Sequence, residues 1–129
     1  MQRKFTTVLA LDVVGFSKSM SIDEDRTLVN LQARRKFVDQ LIEQKGGRIF
    51  NTAGDSVLAE FPNPVDAVEC GVQIQNKSVS INNQSDEADK MSFRIGLNMG
   101  EVLVSDGDLF GDAVNVAAEL EGWGYHFCC

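Results

Sequence analysis

Two aspartates in this chain stand where packing alone explains them poorly. Asp12 interrupts the apolar run Val8-Leu-Ala-Leu-Asp-Val-Val-Gly-Phe16, so its carboxylate falls at the end of what reads as an interior strand. Leaving a buried carboxylate unpaired costs several kcal/mol, so Asp12 must be paired, cap a backbone group or hold a cation. Asp55 follows Gly54 between two short strand-like segments, where it is either a turn residue or a second ligand. If the topology brings both carboxylates to one pocket, their hard oxygens suit a divalent cation.

Other chemistries lack their residues. His126 is the single histidine, and a Ser-His-Asp triad would have to recruit it from the extreme tail. Cys70, Cys128 and Cys129 are an odd number without Cys-x-x-Cys spacing, which indicates neither a disulfide framework nor a zinc site and fits a reducing compartment. Gly-x-Ser-x-Gly, Gly-x-Gly-x-x-Gly and a phosphate loop ending in Gly-Lys-Ser/Thr are all missing. Asp and Glu total 19 against 12 Lys and Arg, for a net charge of −7, so there is no basic field to attract nucleic acid. Apolar runs such as Val8–Leu11 fall far short of the ~20 residues of a membrane span, and no signal-type segment follows Met1. A soluble, cytoplasmic protein is expected. The 129 residues and 43% apolar content suffice for one domain with its own core.

The elements that must position the carboxylates can be read from periodicity. Residues 5–11 form a β-rich apolar run ended by Asp12 and Gly15, which predicts a buried central strand. Ser21-Ile-Asp-Glu24 has capping-box spacing, and the following helix is expected to turn Leu28, Leu31, Phe37, Val38, Leu41 and Ile42 inward before stopping at Gly46-Gly47. Residues 48–51 and 56–61 read as strands of a hairpin around Thr52-Ala-Gly-Asp55. Asn63-Pro64 opens a second helix predicted to bury Val65, Val68 and Val72. The polar stretch 76–90 reads as a frayed helix end and loop. Alternation at Phe93, Ile95 and Leu97 predicts a strand, with residues 101–104 as its hairpin partner after Met99-Gly100, and a last helix should begin near Asp112. The first six elements have the order of a ferredoxin-like βαββαβ sandwich, an α+β fold. In that sheet the first strand lies beside the hairpin, so Asp12 and Asp55 are expected to converge.

Leu9-Ala-Leu-Asp-Val-Val-Gly-Phe-Ser17, Asn51-Thr-Ala-Gly-Asp-Ser-Val-Leu-Ala-Glu-Phe61, Phe93-Arg-Ile-Gly-Leu-Asn-Met-Gly-Glu101 and Leu109-Phe-Gly-Asp-Ala-Val-Asn-Val-Ala-Ala118 resemble, in order, the consecutive motifs of class III adenylate and guanylate cyclase catalytic domains. The resemblance spans residues 5–122. It implies conversion of a nucleoside triphosphate to its 3′,5′-cyclic monophosphate and pyrophosphate, at sites shared across a homodimer or a heterodimer with another cyclase domain. It also implies that Asp12 and Asp55, with the carbonyl of Val13, hold two Mg²⁺ or Mn²⁺ ions. Such ions activate the ribose 3′-hydroxyl and neutralise charge on the leaving pyrophosphate. The backbone amides of Val14, Gly15, Phe16 and Ser17 then cradle phosphate oxygens. Asn51 and Asp108 match the base-reading positions. Asn51 stands where adenylate cyclases usually carry Lys, and Asp108 can accept from the adenine 6-amino group, which favours ATP over GTP. Asp108 also reads as a plain turn residue after Asp106-Gly107.

Asn115 matches the residue that orients the ribose. Glu119, four residues on and on the same helical face, stands where the family has an arginine. Such an arginine is worth about a thousand- to a hundred-thousandfold in rate, so an anion there weakens the case for turnover, unless Glu119 is simply a solvent-facing helix residue. After Glu121-Gly122 the family continues with a Gly-rich turn and further strands, whereas residues 123–129 read Trp-Gly-Tyr-His-Phe-Cys-Cys. The domain is therefore expected to be incomplete at its C-terminus, and the tail to be the product of a shifted reading frame. Two functions follow: an adenylate cyclase domain, or a non-catalytic degenerate cyclase module that binds nucleotide or regulates a partner through the dimer surface. A diguanylate cyclase is disfavoured, because its hairpin usually carries Gly-Gly-Asp/Glu-Glu-Phe and this one carries Ala53-Gly-Asp-Ser56.

Overall fold

The computed structural model describes residues 2–123 and 127–128, with side chains through Glu119. Most of the expected 123–129 tail, including His126 and Cys129, lies outside the described residues. The elements are β1 (Gln2–Val13), α1 (Phe16–Ile22), α2 (Glu24–Gln44), β2 (Arg48–Ala53), β3 (Ser56–Phe61), α3 (Pro64–Asn83), β4 (Phe93–Ser105), β5 (Asp108–Phe110), α4 (Asp112–Trp123) and β6 (Phe127–Cys128). The sheet order β2-β3-β1-β4-β5 contains the ferredoxin-like set β2-β3-β1-β4, each neighbour antiparallel, and β6 runs parallel to β4.

Alternation along β1 divides the core. Leu9, Leu11 and Val13 face α2 and α3, with Leu31, Val38, Ile42, Cys70 and Ile74 packed over them. Val8 and Ala10 face the opposite side, where Ala113, Val114 and Ala117 of α4 cover them together with Val102 and Leu109. Asp12 shares that second face by the period-2 rule.

Three expectations are corrected. Met99-Gly100 is not a turn, because β4 is one strand of 13 residues paired continuously with β1 from Phe93 to Val104. Gly100 is small for another reason: a Cβ there would sit 3.0 Å from that of Ala113, so glycine lets α4 approach the sheet. The reversal comes at Asp106-Gly107, whose φ values of 51° and 80° are those of a two-residue hairpin turn, and β5 returns from it. Secondly, α3 buries Ala67, Cys70, Gly71, Ile74 and Ser78 and leaves Val65, Val68 and Val72 exposed, while α2 leaves Leu28 at the surface and buries Thr27 and Arg34. Both faces of α3 carry apolar residues at helical spacing, and the side with the small ones is the side that packs closely on the sheet. Thirdly, the helix end expected to fray in the stretch 76–90 is regular helix as far as Asn83. Arg34, buried, donates to the Met91 carbonyl and to Asn82 Oδ1, while Ser78 and Asn82 also donate to Met91 O, pinning the chain that leads into β4. The short helix α1 and the start of β1 at Gln2 extend the expected pattern. Asn63 caps α3 through Val65 N as its spacing predicts, whereas α2 is capped by Asp23 through Arg26 N and not by Ser21, which lies in α1 and donates to the Lys18 carbonyl.

Candidate active site

The expected convergence of the two aspartates is what the topology produces. Strand β1 pairs with β3, so its C-terminal end lies beside the β2–β3 turn, where Gly54 takes a φ of 59°. Asp55 Oδ2 accepts from the Val13 amide at 2.9 Å, which ties the turn to β1. Gly15, with a φ of 65°, then swings the chain from β1 into α1. Asp12, Val13, Gly15, Phe16, Ser17, Lys18, Asp55 and Arg94 line one open cleft of about 450 Å³.

Asp12 is paired. Arg94 stands opposite it in the β1–β4 register and grips both carboxylate oxygens, Nε to Oδ1 at 2.8 Å and Nη2 to Oδ2 at 2.7 Å. The side chains are only 17% and 30% exposed, so the pair is held in a setting where charge is weakly screened. Two residues of this cleft, Arg94 and Lys18, were not singled out from the sequence. The demand for a partner at Asp12 was the available signal for Arg94, which sits in the polar phase of β4, next to its first residue, Phe93. Lys18 had none.

Of the expected phosphate-cradling amides, that of Val14 is committed to the Ser92 carbonyl at 2.9 Å. The amides of Phe16 and Ser17 open α1 directly after the turn at Val14-Gly15.

The remaining expected site residues do not line this cleft. Asn51 pairs with Leu58, which pairs with Ala10, so Asn51 is exposed on the Asp12 face of the sheet. Asp108 begins β5, and its Oδ1 accepts from the Leu109 amide at 2.9 Å. The sheet curls until its ends approach on that face: Arg48 of β2 reaches the β5 turn, with Nη1 3.8 Å from the Cβ position of Gly107. Asn115 and Glu119 lie one turn apart on the exposed side of α4, away from the buried Ala113, Val114 and Ala117. One chain thus carries a carboxylate cleft and, separately, an exposed Asn115 face.

Asp12 and Asp55 supply hard oxygen donors suited to Mg²⁺ or Mn²⁺. Among the described residues no cluster of three or more His, Cys, Asp or Glu forms, so further ligands would come from backbone, water or substrate phosphates, as is usual for Mg²⁺. The donor types fit such an ion, which would have to displace Arg94 from the Asp12 oxygens. Cys70 offers no nucleophile, since burial pushes its thiol up to about 12.

The split-βαβ order expected of a nucleotide-cyclase catalytic domain is present, with Asp12 and Asp55 where β1 meets the β2–β3 turn. Comparison with known proteins agrees. The family model "Adenylate and Guanylate cyclase catalytic domain" matches residues 2–126, and the chain belongs to that family. It is 42% identical over 122 residues to a putative adenylate cyclase 3 of Rhizobium meliloti, covering 94% of this chain and 21% of the relative. It superposes on an adenylate/guanylate cyclase/hydrolase from Silicibacter pomeroyi with a TM-score of 0.87 and 37% identity, over 95% of this chain and 72% of the other. A bacterial light-regulated adenylyl cyclase shares the fold with a TM-score of 0.84 at 22% identity, over 95% of this chain and 71% of the other. The chain spans about a fifth of the length of the Rhizobium relative.

Proposed function

We propose that this domain converts ATP to 3′,5′-cyclic AMP and pyrophosphate at a site shared between two chains. The observation that carries the reading is the convergence of Asp12 and Asp55 on one cleft through the Val13–Asp55 hydrogen bond, in a chain of the cyclase family. Asp12 and Asp55 would hold two Mg²⁺ or Mn²⁺ ions, with Val13 contributing its carbonyl; bound there, the ions supply activation of the 3′-hydroxyl and charge neutralisation at the leaving group. The 3′-oxygen attacks the α-phosphorus, the bond to the β-phosphate oxygen breaks, and the 3′-hydroxyl proton is released.

The chain's own residues orient and bind. Gly15, Phe16 and Ser17 present backbone to phosphate oxygens. Asp108 accepts from the adenine 6-amino group and Asn51 donates to a ring nitrogen, a pattern that guanine's carbonyl oxygen would oppose. Asn115 holds the ribose. Because Asn115 lies outside the cleft of its own chain, it is supplied to the cleft of a partner, a second copy or another cyclase domain. A cytoplasmic setting is consistent with ATP as substrate; among the described residues no helix is long and apolar enough to cross a membrane.

One observation favours a second reading, a degenerate module that binds nucleotide or a cyclase partner without turnover: Glu119 is exposed on the same side of α4 as Asn115, an anion where the family has a cation. An assay of cyclic product from ATP and from GTP with Mn²⁺ separates the two. Cyclic AMP exceeding cyclic GTP is expected. Metal-dependent ATP binding with no cyclic product establishes the second reading instead.

A further inference from the structure

Asn98 stands outside the cleft, opposite Val8 in the β1–β4 register and on the face of the sheet that α4 covers. Its Nδ2 donates to the Ala113 carbonyl at 3.1 Å. Gly100, next on the same face of β4, approaches Ala113 so closely that an added Cβ would lie 3.0 Å from the alanine's. Asn98 and Gly100 thus converge on one residue in the first turn of α4. The buried side chains around that contact are apolar, Val8, Ala10, Val102, Val114 and Ala117 among them. Apolar contact is non-directional and does not by itself fix the roll of a helix, whereas a hydrogen bond has a direction.

We propose that Asn98 is a positioning residue: its amide sets the roll of α4 on the sheet, and so the place from which Asn115 reaches the cleft of a second chain. This rests on the reading of a cyclase site shared between two chains. Asn115 follows Ala113 by two residues, about 200° around the helix, so whatever fixes the buried side of α4 also fixes the exposed one. Side chains reach about 5–6 Å from a helix axis, and a roll of about 10° therefore moves their ends by about 1 Å. A misplacement of about 1 Å can lower a rate about a hundredfold. The Ala113 carbonyl has two lone pairs, so it can take the Asn98 bond alongside a helical one, and losing Asn98 need not unwind the turn.

The test joins kinetics with ATP and Mn²⁺ to chain mixing, on wild type, Asn98→Leu and, should leucine not be accommodated, Asn98→Ala. Asn98→Leu should lower kcat roughly ten- to a hundredfold while KM for ATP stays within about threefold. Amide exchange should quicken in the first turns of α4 and stay as it is in β1. Mixed in equal amounts with Asp12→Asn chains, Asn98→Leu should recover up to about a quarter of wild-type activity, because half the dimers are hybrids with one intact site of two. Mixed with Asn115→Ala chains it should recover none, because every site then carries a defect in its α4 half. A chain that is merely less stable behaves alike in the two mixtures. Wild-type kcat in the Asn98 variants, unchanged exchange in α4, or recovery with Asn115→Ala or with neither chain overturns the proposal and leaves the cyclase reading standing. A wild-type chain that makes no cyclic product removes the turnover reading, and the positioning role with it.

Discussion

Arg94 faces Asp12 across the β1–β4 ladder and holds both of its carboxylate oxygens, at 2.8 and 2.7 Å. A fork of this kind fixes the carboxylate on the sheet end and neutralises it, so any divalent cation at Asp12 competes with the guanidinium for the same oxygens. Arg94→Met should therefore do two opposite things. Stability without metal should fall by about 1–3 kcal/mol, because a partly buried carboxylate loses its partner. The rise in melting temperature caused by Mn²⁺ should exceed that of wild type, because the competitor is gone. Thermal melts with and without Mn²⁺ check both, and an equal Mn²⁺ shift in the two proteins would show that Arg94 does not compete.

Asp55 separates structure from chemistry more cleanly. Its Oδ2 accepts from the Val13 amide at 2.9 Å, and the side-chain carbonyl of an asparagine can accept the same bond. Asp55→Asn should keep its stability within about 1 kcal/mol of wild type while losing the charge that a divalent cation requires. Mn²⁺-dependent cyclisation should drop at least about a hundredfold. Denaturant melts together with the product assay test this, and full activity in Asp55→Asn would remove the two-metal assignment.

The sequence made Asp12 and Asp55 conspicuous because each broke a local pattern, an apolar run in one case and a Gly-led turn in the other. Their convergence was also legible, since the order of elements dictates that β1 lies beside the β2–β3 hairpin. The helix faces were not. In α3 the valines at 65, 68 and 72 and the small residues at 67, 70 and 71 both recur at helical spacing, and only the sheet selects between them. Gly100 was misread as a turn because a glycine demanded by close approach of Ala113 looks, in sequence, like one demanded by φ. The Asp106-Gly107 dipeptide carried the real turn signal. Lys18 escaped notice because an exposed lysine breaks no pattern, and its meaning depends on which carboxylates lie across the cleft.

Glu60 gives a pH-dependent handle on the fold. It is buried between Lys4, whose Nζ is 2.7 Å from Oε2, and Arg48, whose Nη2 is 2.7 Å from Oε1. Burial alone would push its carboxyl up, but the hydrogen bonds and charges of Lys4 and Arg48 outweigh that and hold it below its ordinary 4.5. A lowered folded-state value means the unfolded chain takes up the proton first. The stabilisation is complete above about pH 5, where Glu60 is ionised in both states, and is lost as pH falls through the folded value. Urea melts of wild type and Glu60→Gln between pH 3 and 7 should differ most near neutrality and converge in acid. A gap that stays constant with pH would remove the ion triad as its source.

Asn115 lies on the exposed side of α4, outside the cleft that Asp12 lines, and this separation makes a prediction about assembly. If each site takes its carboxylates from one chain and its asparagine from the other, Asp12→Asn and Asn115→Ala chains are each inactive as homodimers. Mixed, they form hybrids in which one site collects both defects and the other collects neither. Random pairing of equal amounts makes half of the dimers hybrid, each with one of two sites intact, so about a quarter of wild-type activity should return. The recovery should disappear on dilution below the dimer dissociation constant and should scale with the product of the two chain concentrations. A site complete within one chain predicts no recovery at any ratio, and the mixing experiment distinguishes these outcomes without knowledge of the regulator or of the partner's identity.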